Sequence, residues 1–291
     1  MKILVIGGSG FIGTSLVRHL VKKKHVVTIF DLIKPNFKGK NINFVKGNIS
    51  NNILLKKIIP KHQIVYHLAG ISNIGDASNK PIETVKKNIL ATINILEICS
   101  KFQIKRFIFA STIYVHSSQG GFYRASKASV ELYVQEYWKH TSLKCTILRY
   151  GTIYGPSKNL NNNINKITND ALKLDIVKYN GSNLAKRNII HIDDVGKVSV
   201  QILGKKYENK AVLITGKKNV KIKDVMKIIR NKLKIKKPLL FENKKIEGHY
   251  ISNPFTYKKP KEFKVILKKY VKIENGIEQV INFLKKKYEK K

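Results

Sequence analysis

The segment that most restricts this chain is its first. A short apolar run, Lys2 to Ile6, breaks directly into Gly7-Gly8-Ser9-Gly10-Phe11-Ile12-Gly13, and an amphipathic stretch follows to residue 23. Glycines spaced G-x-x-G-x-x-G between a strand and a helix permit a tight turn and bring backbone N–H groups against a pyrophosphate. They also let the helix pack closely on the strand. Glycine turns follow strands for purely structural reasons too, so the flanking context carries the inference. That context includes Asp31, which ends the next apolar run 18 residues after Gly13. A carboxylate there accepts hydrogen bonds from ribose hydroxyls and repels a 2′-phosphate, which favours NAD over NADP. The competing reading is that Asp31 merely ends a strand.

Further strands are expected over 25–31, 41–46, 63–68, 106–110 and 144–149, with helices over 82–102 and 123–140. Such alternation predicts an α/β fold with a doubly wound parallel Rossmann sheet. After Tyr154-Gly155-Pro156 the rhythm becomes irregular. Residues 157–165 read as loop, with helices over 167–174, 193–203 and 221–233 and strands over 176–179, 188–192 and 212–215. Residues 1–155 therefore read as the NAD-binding domain. Residues 156–291 read mostly as a smaller C-terminal α/β substrate lobe, with about 188–215 returning to the first domain and 285–291 a frayed helix end.

The 291 residues suffice for such a unit, and 43% of them are hydrophobic, enough for a substantial core. Cys99 and Cys145 each sit inside an apolar run, which suits buried thiols in a reducing compartment and offers no zinc or disulfide framework. The eight histidines include no i, i+4 pair, so no metal site is expected. The N-terminal run is too short for a secretory signal, and no stretch approaches the ~18 apolar residues of a membrane span. A soluble, cytoplasmic protein is expected. The formal charge of +39 invites a polyanion partner, but only six of the 57 basic residues are arginine. Base and phosphate recognition favours arginine's planar fork. The joint excess of lysine, asparagine and isoleucine fits codon bias better than a dedicated nucleic-acid role. The scarcity of acidic residues, 18 in all, has no physical explanation in the sequence.

Tyr123-Arg124-Ala125-Ser126-Lys127 is a Y-x-x-x-K at a helix start, and one turn puts Tyr123 and Lys127 on the same face. An ammonium nearby is expected to lower the phenol's pKa from about 10 and make it a usable base. In a chain rich in lysine and tyrosine this motif alone says little. Phe109-Ala110-Ser111-Thr112-Ile113-Tyr114-Val115 adds hydroxyls at a strand's carboxyl end, where doubly wound sheets bind ligands. Backbone capping is the alternative role for Ser111 and Thr112.

Taken together and in this order, these motifs resemble the extended short-chain dehydrogenase/reductase family, especially its nucleotide-sugar epimerases and dehydratases. Val65-Tyr66-His67-Leu68-Ala69-Gly70, Asn88, the Leu148 to Pro156 segment and the Arg187 to Val195 segment extend the likeness over most of the chain. The resemblance implies that Thr112 bonds the reacting sugar hydroxyl, that Tyr123 takes its proton, and that Lys127 binds the nicotinamide ribose and tunes Tyr123. It implies Ser111 and Arg187 at the substrate, Arg187 at its diphosphate, where a surface ion pair is the rival role. It implies a cofactor site of Gly7, Gly10, Phe11, Ile12, Gly13, Asp31, Asn48, Ile49, Leu68, Ala69, Gly70, Asn88, Tyr123 and Lys127.

The chain also departs from the family pattern. Asn48 replaces the usual adenine-binding aspartate, although its amide oxygen can still accept that bond. Thr152 replaces an asparagine, and ten residues separate Thr112 from Tyr123 where most relatives have a longer loop. The 249–261 region stands where relatives carry an arginine and an aspartate. Ile113 and Tyr114 occupy positions where sugar 4,6-dehydratases carry two carboxylates for eliminating water.

The leading expectation is therefore NAD-dependent epimerisation of a nucleotide-linked sugar, most simply at C4, through a transient keto-sugar. Rival expectations are an NAD-linked dehydrogenase or reductase on the same substrates, and a non-catalytic NAD-binding regulatory protein. A homodimer is a further expectation. Helices 82–102 and 123–140 would pair across a two-fold axis, with Val130, Val134, Tyr137 and Trp138 as the apolar face of the second. Ordinary packing on the sheet is the alternative for those four.

Overall fold

Apolar runs that are continuous rather than alternating form parallel strands buried on both faces. The computed structural model describes residues 1–157, 160, 162–243, 248–255 and 263–289. Its strands are β1 (Lys2–Ile6), β2 (Val26–Asp31), β3 (Ile42–Lys46), β4 (Ile64–His67), β5 (Arg106–Thr112), β6 (Lys144–Tyr150) and β7 (Thr152–Tyr154). Then follow β8 (Lys178–Tyr179), β9 (Lys186–Arg187), β10 (Ile189–His191), β11 (Lys210–Ile214), β12 (Val220–Lys221), β13 (Leu240–Phe241) and β14 (Phe263–Lys264). Eight of these make one parallel sheet in the order β14-β11-β6-β5-β4-β1-β2-β3. The order in which successive strands are added reverses between β1 and β4. That is the crevice where doubly wound sheets take their ligands.

The helices are α1 (Phe11–Lys22), α2 (Asn52–Ile58), α3 (Ile74–Asn79), α4 (Pro81–Thr84), α5 (Ala91–Lys101) and α6 (Gly121–His140). The later ones are α7 (Asn163–Leu174), α8 (Ile192–Gln201), α9 (Ile222–Leu233) and α10 (Ile273–Tyr288). Successive residues of a strand face opposite sides. Ile3 and Val5 accordingly join α1 and α8 in one core, while Leu4 and Ile6 join α2, α5 and α6 in another. A third core lies in the lobe, where α7, α9 and α10 close around Tyr154, Val177, Tyr179 and Ile189. Both β11 and β14 return to the edge of the main sheet.

Several local departures from the expected elements share one cause. Asparagine side chains cap the starts of α2, α3 and α7. Asn51 accepts from the Leu54 amide and Asn73 from the Asp76 amide, starting α2 and α3. Asn162 accepts from Ile164 and Asn165, so α7 begins inside the stretch read as loop. The helix expected over 82–102 is interrupted by a π-helical turn, Val85–Leu90, which carries the buried Asn88. Among the described residues no helix is long and apolar enough to cross a membrane.

The face of α6 expected to mediate pairing is corrected. Val130 and Val134 are fully buried on the sheet, and Tyr137 and Trp138 pack against the same core. Apolar residues that do face outward on the opposite side of the helix include Leu132 (64% exposed) and Tyr133 (48%).

Candidate functional site

The glycine turn is built so that side chains cannot enter it. Gly7 has φ +86°, and a Cβ there would meet the Ala69 nitrogen at 2.6 Å. A Cβ on Gly13 would stand 2.2 Å from the Gly7 carbonyl oxygen. Leu68 and Ala69 both donate to the Ile6 carbonyl, which draws the turn after β4 against the turn after β1. Gly10 opens α1 with no side-chain cap and no acidic residue in the first turn. Phe11, Ile12 and Gly13 therefore present the positive end of the helix, where an anion would be favoured.

Asp31, at the end of β2, accepts from the Ser9 amide at 2.9 Å and from the Ile33 amide at 3.2 Å. Each carboxylate oxygen keeps acceptor capacity for a ribose hydroxyl. These features fit a dinucleotide, and Gly7, Gly10, Gly13 and Asp31 are the residues that would hold it. Asn48 spends acceptor capacity on the Ser50 amide at 3.0 Å, and Ile49 is buried in the second core. Asn88 uses its amide to clamp Ile71, accepting from its nitrogen at 2.7 Å and donating to its oxygen at 3.0 Å. A second donor bond runs to Ser126 Oγ, so Asn88 shapes the Gly70 loop from beneath.

Beside this crevice lies a cavity of about 260 Å³ lined by Thr112, Tyr123, Gly151, Thr152 and Arg187, among others. Thr112 is the last residue of β5, and Tyr123 stands on the first turn of α6. Two left-handed glycines, Gly120 (φ +102°) and Gly121 (φ +48°), let the chain cross this short gap. Arg124 Nη1 pins the crossing by donating to the Ser117 carbonyl at 2.6 Å. Thr112 hydrogen-bonds Tyr123.

The electrostatics differ from the expectation. Burial pushes the Tyr123 phenol up to about 12, and the Thr112 hydrogen bond opposes this only in part. Lys127 does not reach the phenol. Its Nζ donates to the Ala110 carbonyl at 2.9 Å and sits 4.8 Å from the centre of the Phe109 ring. Burial also brings Lys127 down to about 8, with Glu131 pulling the other way. Spacing on a helix brings the two side chains to one face, but dehydration outweighs their mutual influence.

Ser111 is a second correction. Strand alternation turns it away from Thr112 and from the cavity. Its hydroxyl donates to Glu131 Oε1 at 2.5 Å, and Arg149 grips the same carboxylate at 2.5–3.1 Å. This buried cluster ties β5 and β6 to α6. Arg187 does line the cavity, buried and stacked 4.5 Å from the Tyr250 ring, with Nη1 donating to Lys186 and Ile251 carbonyls at 2.8 Å each.

Sequence reasoning missed Asn73, Asn162 and Asn163 on the cavity wall, and it assigned no role to Tyr114 or His249. Asn73 and Asn162 carried a legible signal, since asparagine before a short apolar run marks a cap. No comparable signal marked His249, which reaches the cavity only through the packing of the lobe.

Residues 3–215 match the NAD dependent epimerase/dehydratase family. A dTDP-D-glucose 4,6-dehydratase of Dictyostelium discoideum is 32% identical over 231 residues, 67% of this chain and 53% of that one. The chain thus spans about half the length of that relative. A UDP-glucuronate 4-epimerase of Thermodesulfobacterium geofontis is 25% identical over 98% of this chain and 97% of its own. Among solved structures, UDP-glucuronic acid 4-epimerase from Bacillus cereus, in complex with UDP-glucuronic acid and NAD, superposes with a TM-score of 0.85. It is 25% identical and covers 99% of this chain and 100% of that one.

Proposed function

The chain belongs to the NAD dependent epimerase/dehydratase family, and from that premise we propose that it is an NAD-dependent epimerase inverting C4 of a nucleotide-linked sugar. One observation carries the choice within the family. No carboxylate is among the described residues lining the cavity that holds Thr112 and Tyr123, and Ile113 and Tyr114 follow Thr112 there. Eliminating water from a keto-sugar needs an acid and a base at that wall, whereas epimerisation needs one proton acceptor and a reversible hydride transfer.

When bound, NAD supplies the hydride acceptor and donor for the sugar carbon. Thr112 bonds the reacting hydroxyl and Tyr123 takes and returns its proton. Lys127, whose Nζ donates to the Ala110 carbonyl, would hold the ribose next to the nicotinamide. Because the phenol alone is held near 12, deprotonation requires cationic charge brought close to it. The hydroxyl-lined wall fixes the sugar for direct approach.

A homodimer is part of this proposal, formed by the outward side of α6 with the preceding helices. Leu132, Tyr133, Ile82 and Val85 are exposed there. Light scattering that finds only monomer removes that part. A cytoplasmic location is likewise proposed, supported by the free, buried Cys99 and Cys145. The central test supplies UDP-glucose or UDP-glucuronate with NAD and follows the product by chromatography. C4 epimer is expected without accumulation of NADH. In Tyr123→Phe, turnover should drop by about 10²–10⁴-fold while NAD binding persists. Accumulating NADH or a dehydrated keto-sugar as the end product overturns the proposal.

A further inference from the structure

The lobe brings two cation-capable side chains to the cavity, Arg187 and His249. His249 Nδ1 lies 2.9 Å from the hydroxyl of Tyr114, two residues beyond Thr112. The Tyr114 ring also meets the Tyr250 ring at 5.4 Å and the edge of His249 at 6.1 Å, which fixes its direction. Phenol O–H is the better donor of the pair and imidazole nitrogen the better acceptor, so the shared proton belongs to Tyr114. Burial raises the Tyr114 pKa and keeps that proton in place. Burial, and then the charge of Arg187, lowers the His249 pKa and keeps its ring neutral. A neutral ring that accepts at Nδ1 carries its own proton on Nε2. Among the described residues, Nε2 has no partner.

Arg187 is only partly free. Nη1 is spent on two backbone carbonyls, one of them that of Ile251, and a face of the guanidinium is stacked on Tyr250. The segment that holds Arg187 through Ile251 is the same one that carries His249, so the two donors are placed as a unit. A diphosphate offers more anionic oxygens than the remaining edge of one guanidinium satisfies.

We propose that Tyr114 locks His249 in the Nε2–H form, and that this N–H joins Arg187 in binding the diphosphate of the nucleotide-linked substrate. The proposal rests on the nucleotide-sugar reading above. The reacting end and the anion-binding end of the cavity are then joined by a single Tyr114–His249 bridge, and specificity lies in a neutral donor of fixed tautomer.

The test titrates UDP, without sugar, onto the NAD-loaded protein, its Tyr114→Phe and His249→Ala variants and the double variant. His249→Ala should weaken UDP about tenfold or more, the scale of a lost hydrogen bond to a charged group. Tyr114→Phe should weaken it by a smaller factor, and the double variant should lose no more than His249→Ala, because the two residues act as one unit. With UDP-glucose the loss should fall on KM rather than on kcat. Tyr114→Phe preserves shape, so it decides the matter even where His249→Ala folds poorly. Unchanged UDP affinity in Tyr114→Phe, additive losses in the double variant, or a loss seen only with sugars bearing a carboxylate would each overturn the proposal. Wild-type protein that binds none of UDP, GDP, CDP or dTDP overturns the nucleotide-sugar reading along with it. Binding by wild type with unaltered variants overturns the tautomer lock alone.

Discussion

Replacing Lys127 with methionine should make the protein more stable at neutral pH while ending its turnover. Lys127 is 6% exposed, and its pKa falls from 10.5 to about 8 through burial. That shift means the fold forfeits roughly 3 kcal/mol to keep the ammonium charged at pH 7. Methionine has similar length and no charge to dehydrate. It loses the hydrogen bond to the Ala110 carbonyl, which costs about 1 kcal/mol. A net gain of about 2 kcal/mol follows for Lys127→Met at pH 7. The sign follows from proton binding. The unfolded chain holds the lysine proton more tightly than the folded one, so the penalty is complete below pH 8. It shrinks as pH rises from about 8 towards 10.5 and then vanishes. Wild-type stability should climb across that window relative to the variant, and the two curves should meet near pH ~10. Urea unfolding at several pH values from 7 to 10 measures this directly. A variant less stable than wild type at pH 7, or a gap that does not change with pH, would refute the reasoning.

Three further outcomes follow from the geometry. Gly13→Ala places a Cβ 2.2 Å from the Gly7 carbonyl oxygen, and backbone must move. It should cost about 1–3 kcal/mol and weaken NAD binding, measured by thermal unfolding and titration. Glu131→Ala leaves the buried Arg149 and Ser111 without the carboxylate they share. A loss of about 3–5 kcal/mol in denaturant unfolding is expected, with Glu131→Gln less damaging. Asp31→Ser removes the carboxylate that accepts from Ser9 and Ile33. The preference for NAD over NADP should narrow by about tenfold, the size of one close like-charge repulsion removed. Paired dissociation constants decide that case.

Local chemistry made much of this molecule legible in advance. Gly7 and Gly13 announce their role because only a residue without Cβ fits where one would meet backbone at 2.2–2.6 Å. The buried runs of β1, β4 and β5 read as strands because both faces of a parallel sheet are covered. Thr112 and Tyr123 could be named because a strand end and a helix start each carry a short motif.

What stayed hidden depends on contacts between distant segments. Ser111 differs from Thr112 only in strand parity, and its partner Glu131 lies a helix away. Lys127 and Tyr123 share a helical face by sequence, yet burial and the reach of Nζ towards the Ala110 carbonyl decide their pKa values. The outward face of α6 is defined by which residues the sheet covers, and a helix with apolar residues on both sides does not announce that. His249 meets Tyr114 across 135 positions. Turn geometry, strand burial and motif order are encoded within a few residues of chain and so were determined by the sequence itself. Side-chain direction, dehydration and the composition of the cavity wall arise from packing between segments far apart in the chain, and only the tertiary structure decided them.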